Sequence, residues 1–225
     1  MRLKELLKKI IFQMFPGLYW YFRGRNYYNK RVETECEKVL HKEAITALFS
    51  YQPKKVLEYG VGNAAVLKKI HERDSSIQCF GVDISKTQIL SAKDNFPGAE
   101  YKVSDLRKLG FPDNYFDVIY GLGVLIYIKP GNRAQSYKEL YRICNCYLIA
   151  VEYITKYFSA ELKYKFDNAG DYRYDYDIEG SLHSAGFEII KSKKIETIWN
   201  SKINIHGEMP HSMIICKKNK EQSKN

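Results

Sequence analysis

Apolar and polar positions alternate along most of this chain of 225 residues in a strand-then-helix rhythm. Short apolar runs typical of buried strands are followed by stretches with the 3.6-residue period of helices. The predicted strands are Lys55 to Tyr59, Ile77 to Asp83, Ala99 to Val103, Phe116 to Gly121 and Tyr147 to Tyr153. The predicted helices are Val66 to Arg73, Lys86 to Asn95 and Arg133 to Cys144. This order predicts a doubly wound, Rossmann-like α/β sheet with helices on both faces.

The end of the chain breaks this alternation. A helical stretch from Ile178 to Ala185 precedes a strand that begins at Gly186, and a last strand follows from Ser212 to Lys218. No helical pattern separates these two strands, and a parallel pair would need a long crossover. We therefore expect a seven-stranded sheet that is mostly parallel and has an antiparallel last strand.

The first 30 residues form a separate basic and aromatic segment. The apolar residues that recur at helical spacing are Leu3, Leu6, Leu7, Ile10, Ile11 and Met14, and charged residues occupy the other face. Pro16 and Gly17 are expected to end this helix before the aromatic run 18–22. Two alternatives stay open: residues 1–25 contact a membrane surface, or the helix packs across the domain's own core or cofactor site.

The remaining chain divides into a domain and a tail. Residues 31–218 are expected to form one domain that begins with a helix over 31–50, and residues 219–225 a disordered basic tail. The five cysteines have no metal-ligand spacing, so we expect no metal site and a reducing compartment. No run approaches the roughly 20 apolar residues of a membrane span, which favours a cytoplasmic protein. Peripheral contact with the inner face of the membrane is the second expectation.

A glycine loop joins the first predicted strand to the first helix of the domain. It reads Glu58-Tyr59-Gly60-Val61-Gly62-Asn63-Ala64. Glycines at a strand-to-helix turn let the backbone bend tightly and let a ligand approach without a Cβ in the way. Asp83 ends the next strand, 23 residues after Gly60. Rossmann-like folds place a carboxylate against ribose hydroxyls at this distance.

Two cofactors fit these features. A dinucleotide site would share the loop and Asp83, although Ala65 stands where a third glycine is usual. Glu58 and Asp105 favour a different ligand. Glu58 can hold an amino acid moiety or a bound water, and Asp105 can accept a hydrogen bond from the exocyclic amine of adenine. A pyrophosphate would instead favour donors at the helix N-terminus. The acids thus favour a ligand with an amino acid end and an adenosine end.

Four motifs in order resemble those of the class I S-adenosylmethionine-dependent methyltransferases. They are Glu58–Gly62, Gly81–Ser85, Ser104–Leu106 and Phe116–Tyr120. The resemblance covers about residues 50–155 and implies S-adenosyl-L-methionine as the cofactor. It places Glu58, Gly60 and Gly62 at the methionine part, Asp83 at the ribose, and Asp105 with Leu106 at the adenine. It also adds Ile84 and Gly121 to the cofactor site.

The stretches 123–130, 137–142 and 147–153 resemble the methylases of pseudaminic acid biosynthesis. This resemblance implies a sugar or glycan-precursor acceptor in surface polysaccharide synthesis. Since ligands bind at the carboxyl ends of parallel strands, Tyr127, Glu152 and Tyr153 are expected at the acceptor. Glu152 is the first candidate for a base that removes the acceptor's proton. Its alternative role is to hydrogen-bond the acceptor or neighbouring backbone.

Later residues could complete the acceptor site. His206 and His211 precede or begin the last strand, and Arg173 lies among alternating tyrosines and aspartates in 171–176. That stretch fits either a polar-aromatic lid or a solvated helix start. The predicted substrate residues are Tyr127, Tyr153, Arg173 and His206.

Other functions stay open at this stage. The net charge of +10 favours an anionic partner and suggests an RNA methyltransferase as the main alternative. No nucleic-acid partner is expected, however, because the sequence has no added RNA-binding module and no motif for a flipped base. A lipid or another small molecule could replace the sugar, and a binding protein without catalysis would keep the same fold.

Overall fold

The computed structural model describes residues 3–27, 33–153, 159–166, 171–195 and 211–219. The helices are α1 (Leu3–Met14), α2 (Pro16–Tyr27), α3 (Glu35–Phe49), α4 (Ala65–Arg73), α5 (Lys86–Asn95), α6 (Pro130–Ile143) and α7 (Ile178–Ser184). The strands are β1 (Lys55–Tyr59), β2 (Gln78–Asp83), β3 (Glu100–Val103), β4 (Phe116–Leu122), β5 (Cys144–Tyr153), β6 (Ser159–Phe166), β7 (Asp171–Asp175), β8 (Phe187–Ile195) and β9 (His211–Lys218). A short 3₁₀ helix spans Leu125–Tyr127 after β4.

The described strands form a seven-stranded sheet in the order β3-β2-β1-β4-β5-β9-β8. The pairs from β3 to β5 are parallel, whereas β9 runs antiparallel to both β5 and β8. The predicted Rossmann-like sheet with an antiparallel last strand is therefore confirmed. Because β9 is reversed, its first residue, His211, pairs with Tyr153, the last residue of β5. Both residues consequently lie at the sheet edge where the parallel strands end.

Each face of the sheet packs against its own hydrophobic core. Successive residues of a strand point to opposite faces, so Leu57 and Ile119 enter one core while Val56 and Val118 enter the other. Gly121 in β4 leaves room for the ring of Tyr59 on the neighbouring strand β1. A Cβ there would stand 2.1 Å from Cε2 of Tyr59, so the ring of Tyr59 occupies the space that a larger residue would need.

Two regions differ from the sequence prediction. Helix α1 ends at Met14, as the Pro16-Gly17 pair predicts, but the aromatic run that follows is also helical. Pro16 begins α2, because a proline at the first helical position gives up no hydrogen bond. Residues 171–175, in the stretch predicted as a lid or a helix start, form strand β7, which pairs antiparallel with β6 in a separate two-stranded sheet. The helix start follows directly after this strand, where Asp177 caps α7 by accepting from the amide of Gly180. Tyrosines that alternate with polar residues have the two-residue period of a strand.

The N-terminal helices pack on the domain. Phe12 of α1 and Tyr19 of α2 are buried in the core cluster that also holds Tyr174 of β7. The hydroxyl of Thr87 donates to the carbonyl oxygen of Tyr21 at 3.2 Å, which ties α2 to the start of α5. Of the two alternatives for this segment, packing across the domain is therefore present. Among the described helices, none is long and apolar enough to cross a bilayer.

Candidate functional site

The carboxyl ends of β1, β2, β4 and β5 open into a cavity of about 340 Å³. This volume is within the range of small-molecule sites, which is about 300–1,000 Å³. Polar residues of the glycine loop and of the ends of β2 and β3 line one part of the cavity. The second part lies beneath α1 and α2, and we call it the aromatic chamber. Its lining residues are Phe12, Trp20, Tyr127, Tyr153, Tyr174 and His211.

Two positions of the glycine loop have the backbone conformation that favours glycine. Gly60 and Gly62 have φ angles of +68° and +54°, in the left-handed region that side chains disfavour. A Cβ on Gly60 would also stand 2.4 Å from Cγ2 of Val124. The loop is held from the next strand, because the amide of Gly62 donates to Oδ2 of Asp83 at 3.1 Å. The loop therefore presents bare backbone to the cavity.

Glu58 lies at the floor of the polar part. Its side chain is buried, and its Oε2 accepts a hydrogen bond from the hydroxyl of Tyr120 at 3.1 Å. Burial raises the pKa of Glu58 to about 8, against the opposing effect of the hydrogen bonds that it accepts. A carboxyl in this state is stabilised as the anion when a cation enters the cavity beside it. This property suits a site for the ammonium group of an amino acid.

Asp83 ends β2 directly beside the loop. Its two oxygens accept from the amides of Gly62 and Ser85, at 3.1 and 2.8 Å. Burial raises the pKa of Asp83 to about 6, although these hydrogen bonds favour the charged form. Asp83 and the neighbouring Ile84 both line the cavity. The carboxylate is thus fixed in place and free to accept further hydrogen bonds from a ligand on its remaining lone pairs.

Asp105 and Leu106 lie at the far end of the polar part. Burial works against the charge of Asp105, but a two-point ion pair with Arg107 holds the pKa of this carboxyl below its usual range. Gly121 was predicted as a cofactor residue, yet it is not among the described residues that line the cavity. Its contact with Tyr59 is a packing role within the sheet.

Ring contacts build the aromatic chamber. The Trp20 and Tyr127 rings meet edge to face with centroids 4.9 Å apart, and the Phe12 and Tyr174 rings stack at 5.9 Å. Tyr153 packs against the imidazole of His211 at 4.1 Å. The predicted residues Tyr127 and Tyr153 thus come together here. Tyr174 belongs to the stretch that was predicted as a possible lid. Phe12 and Trp20 were not singled out from the sequence, because their positions depend on how distant segments dock.

Glu152, the first candidate for the base, binds neighbouring backbone in this structure. Val151 and Tyr153 line the cavity, whereas Glu152 is not among the described lining residues, because adjacent strand residues face opposite sides. Its Oε1 instead accepts from the amides of Val124 and Leu125 at 3.0 and 2.9 Å. The side chain is fully buried, and burial raises its pKa to about 7. These contacts correspond to the predicted alternative in which Glu152 binds neighbouring backbone.

The remaining predicted residues lie in different places. Arg173 is buried with its guanidinium carbon 5.4 Å from the centroid of Tyr153, one layer behind the lining. His206 lies outside the described residues. His211 does reach the chamber, where burial and then the charge of Arg173 lower its pKa to about 4. The signal for His211 in the sequence is its place at the start of the reversed last strand.

Among the described residues, no three histidine, cysteine, aspartate or glutamate side chains lie together in a geometry that could hold a metal ion.

The chain is similar to known proteins in one domain and in its fold. A model of the family described as "Methyltransferase domain" matches residues 56–146. No curated protein sequence matches the chain. Among solved structures, a SAM-dependent methyltransferase from Methanosarcina mazei has 19% identity and a TM-score of 0.63, with 76% of this chain and 96% of that chain covered.

Two further structures are similar over nearly the whole chain. The 1,6-didemethyltoxoflavin-N1-methyltransferase of Burkholderia thailandensis, solved with 1,6-didemethyltoxoflavin and S-adenosylhomocysteine, has 13% identity, a TM-score of 0.65 and coverage of 97% and 92%. The [4+2]-cyclase SpnF has 15% identity, a TM-score of 0.64 and coverage of 95% and 96%. These likenesses show the fold. The family match indicates a methyltransferase domain over residues 56–146, and the solved structures show that the fold around it is shared.

Proposed function

We propose that the protein transfers a methyl group from S-adenosyl-L-methionine to a hydroxyl or amine of a small acceptor, with a sugar or glycan precursor as the preferred class. The supporting observation is that one cavity joins an acid-lined glycine loop to an aromatic chamber. When bound, S-adenosyl-L-methionine supplies an electrophilic methyl group on its sulfonium. Methyl transfer depends mainly on positioning and on exclusion of water, and a buried chamber provides both.

The polar part of the cavity would hold the cofactor. Glu58 is placed to pair with the ammonium group of the methionine moiety, and Asp83 to accept from the ribose hydroxyls. Asp105 would accept from the adenine amine while Leu106 packs against the ring. The bare backbone of Gly60 and Gly62 leaves room for close approach of the ligand. These three carboxylates accept hydrogen bonds from groups that the cofactor carries. None of the three favours a pyrophosphate.

The aromatic chamber would hold the acceptor. Sugar rings present apolar C–H faces that pack on aromatic rings, and the hydroxyls of Tyr127 and Tyr153 can bond polar substituents. A planar heteroaromatic acceptor is the second candidate, since stacked and edge-on rings favour it equally. The Burkholderia neighbour was solved with such a compound, 1,6-didemethyltoxoflavin.

We assign proton removal to His211 instead of Glu152, because His211 lines the chamber. The imidazole is neutral at pH 7 and can accept a proton, although the burial and the charge of Arg173 that lower its pKa to about 4 also make it a weaker base. The bound cofactor would supply the methyl group to the acceptor oxygen or nitrogen, with its sulfur leaving as a neutral thioether that keeps the electron pair of the broken carbon–sulfur bond. The acceptor's proton moves to His211.

The first experiment measures cofactor binding and transfer separately. Calorimetry should show micromolar or tighter binding of S-adenosylhomocysteine by the purified chain. Radiolabelled methyl transfer is then measured to nucleotide sugars, planar heteroaromatic compounds and RNA. Transfer of label to a nucleotide sugar supports the preferred acceptor class. Transfer of label to a heteroaromatic compound supports the second candidate acceptor. Labelled RNA, or no binding of S-adenosylhomocysteine, contradicts it.

The role of His211 has its own test. His211→Asn should lower turnover by about 10²- to 10⁴-fold, the usual contribution of general acid–base catalysis, and leave S-adenosylhomocysteine affinity unchanged. His183→Asn, at an exposed position on α7, is the matched control and should behave as wild type. Turnover of the His211 variant within threefold of wild type would remove the assignment.

A further inference from the structure

The helices α1 and α2 have an apolar outer surface that nothing in the described structure covers. Of the twelve large hydrophobic side chains found exposed, eight lie on this short segment. They are Leu6, Leu7, Ile10, Met14, Phe15, Leu18, Tyr21 and Phe22. We call these eight residues the outer face. Met14, Phe15 and Phe22 are each more than half exposed, so these three side chains lie outside the core and not at its partly buried edge. An apolar concentration of this kind marks an interaction site.

The same helices use their opposite side to line the aromatic chamber. Phe12 is only 3% exposed and packs on Tyr127 and Tyr174, while Trp20 packs on Tyr127. The segment therefore has two apolar sides, one turned toward the chamber and one turned to solvent. A helix needs a single apolar side to pack on its own domain. The second side requires a different explanation.

Charge identifies the kind of partner. In the first 30 residues the basic residues are Arg2, Lys4, Lys8, Lys9, Arg23, Arg25 and Lys30, against the single acid Glu5. A segment with bulky apolar and aromatic side chains among basic residues binds in the interface of an anionic bilayer, where the rings enter the acyl boundary and the cations meet lipid headgroups. A protein groove would satisfy the apolar side chains but gives no reason for the excess of positive charge.

We propose that the outer face docks on an anionic lipid surface and so places the aromatic chamber at the membrane. The acceptor class that this arrangement serves is an amphiphile, a polar group to be methylated on an apolar carrier that stays in the bilayer. The docking step stands independently, whereas the acceptor class rests on the proposed methyl transfer. Docking can therefore be tested without knowledge of the acceptor.

The test uses the full chain with two kinds of vesicle, phosphatidylcholine alone and phosphatidylcholine mixed with phosphatidylglycerol. Wild type should cosediment with the mixed vesicles at least tenfold more strongly than with the neutral ones, and added salt should weaken the binding. The triple variant Ile10→Ser/Phe15→Ser/Phe22→Ser keeps the charge and should lose at least tenfold in binding. Its S-adenosylhomocysteine affinity should equal that of wild type, which shows that the domain is folded.

Matched controls carry the same kind of change elsewhere. Val103→Ser and Ile190→Ser replace exposed apolar residues at the two edge strands of the sheet, and both should bind vesicles as wild type does. Equal loss in the controls, or no vesicle binding by wild type, would overturn the proposal. So would a dimer in sedimentation equilibrium that the triple variant abolishes, since the outer face would then join two copies of the chain. Failure of cofactor binding in wild type would instead contradict only the proposed function.

Discussion

The polar part of the cavity and the aromatic chamber are constructed in opposite ways. The polar part comes from neighbouring strands between Glu58 and Leu106, and hydrogen bonds between carboxylates and backbone amides hold it together. The chamber is assembled from segments as distant as Phe12 and His211, and its internal contacts are between rings. The first arrangement is directional and charged, and the second is defined by shape.

This difference implies that the two parts can be changed separately. Removal of a carboxylate should affect the ligand of the polar part, because buried charge and directional hydrogen bonds cost much when lost. Changes near the chamber should affect turnover and acceptor choice while cofactor affinity stays constant. Three experiments test this separation, from the largest expected effect to the smallest.

Asp83→Ala should give the largest effect on cofactor affinity. The change removes the acceptor of the Gly62 and Ser85 amides as well as the proposed ribose contacts. Hydrogen bonds to a charged group contribute about 1.5–3 kcal/mol each, so S-adenosylhomocysteine affinity should fall by about 100-fold or more. Calorimetry checks this, with Asp94→Ala at an exposed position of α5 as the control. A loss of less than fivefold would place the ribose elsewhere.

Glu152 tests the boundary between the parts, since it supports the turn that carries Val124 and Tyr127. Glu152→Gln keeps an oxygen acceptor and should lower turnover by about tenfold or less. Glu152→Ala leaves two buried amides without a partner, at about 1–3 kcal/mol each, and should lower turnover much further. A loss of 10² or more in the glutamine variant, with normal affinity for S-adenosylhomocysteine, would return Glu152 to the role of base.

Glu58 should give the smallest and most specific signal, a proton released on cofactor binding. With a pKa of about 8, the carboxyl is mostly protonated at pH 7 in the free protein. A cationic ammonium beside it lowers that pKa, so binding should release up to about one proton, and affinity should increase as pH rises from 6 to 8. Calorimetry in buffers of different ionisation enthalpy measures the release.

The matched variant for this experiment is Glu58→Gln, which has no carboxyl to ionise. Its binding should be independent of pH between 7 and 8 and should release almost no proton. If wild type takes up or releases no proton at pH 7, the ammonium group lies away from Glu58. The polar part would then bind its ligand by shape, as we propose for the chamber.

The polar part could be predicted from the sequence because its chemistry is local. Glu58, Gly60 and Gly62 are adjacent in the chain, and Asp83 ends the next strand along. Each parallel strand that ends at this edge brings its last residues with it, so the order of motifs determines their meeting point. The cofactor role of Gly121 stays a prediction, since a glycine can be needed for packing of Tyr59 as well as for a ligand.

The chamber could be predicted only in part. The two-residue period of β5 places Tyr153 and Glu152 on opposite faces of the strand, so the sequence already favours only one of them at the acceptor. The contributions of Phe12 and Trp20 were not accessible in the same way. Their helical pattern is equally compatible with a membrane contact and with packing on the domain, and only the tertiary contacts distinguish the inner side from the outer face.

The close approach of Gly60 to Val124 has a thermodynamic consequence. One residue belongs to the loop that meets the cofactor, and the other begins the turn that carries Tyr127 into the chamber. A packed contact of this kind cannot absorb movement on one side alone. Cofactor and acceptor are therefore expected to be linked ligands, so that each changes the affinity of the other by the same factor. Exchange of spent cofactor would then also loosen the hold on the methylated product.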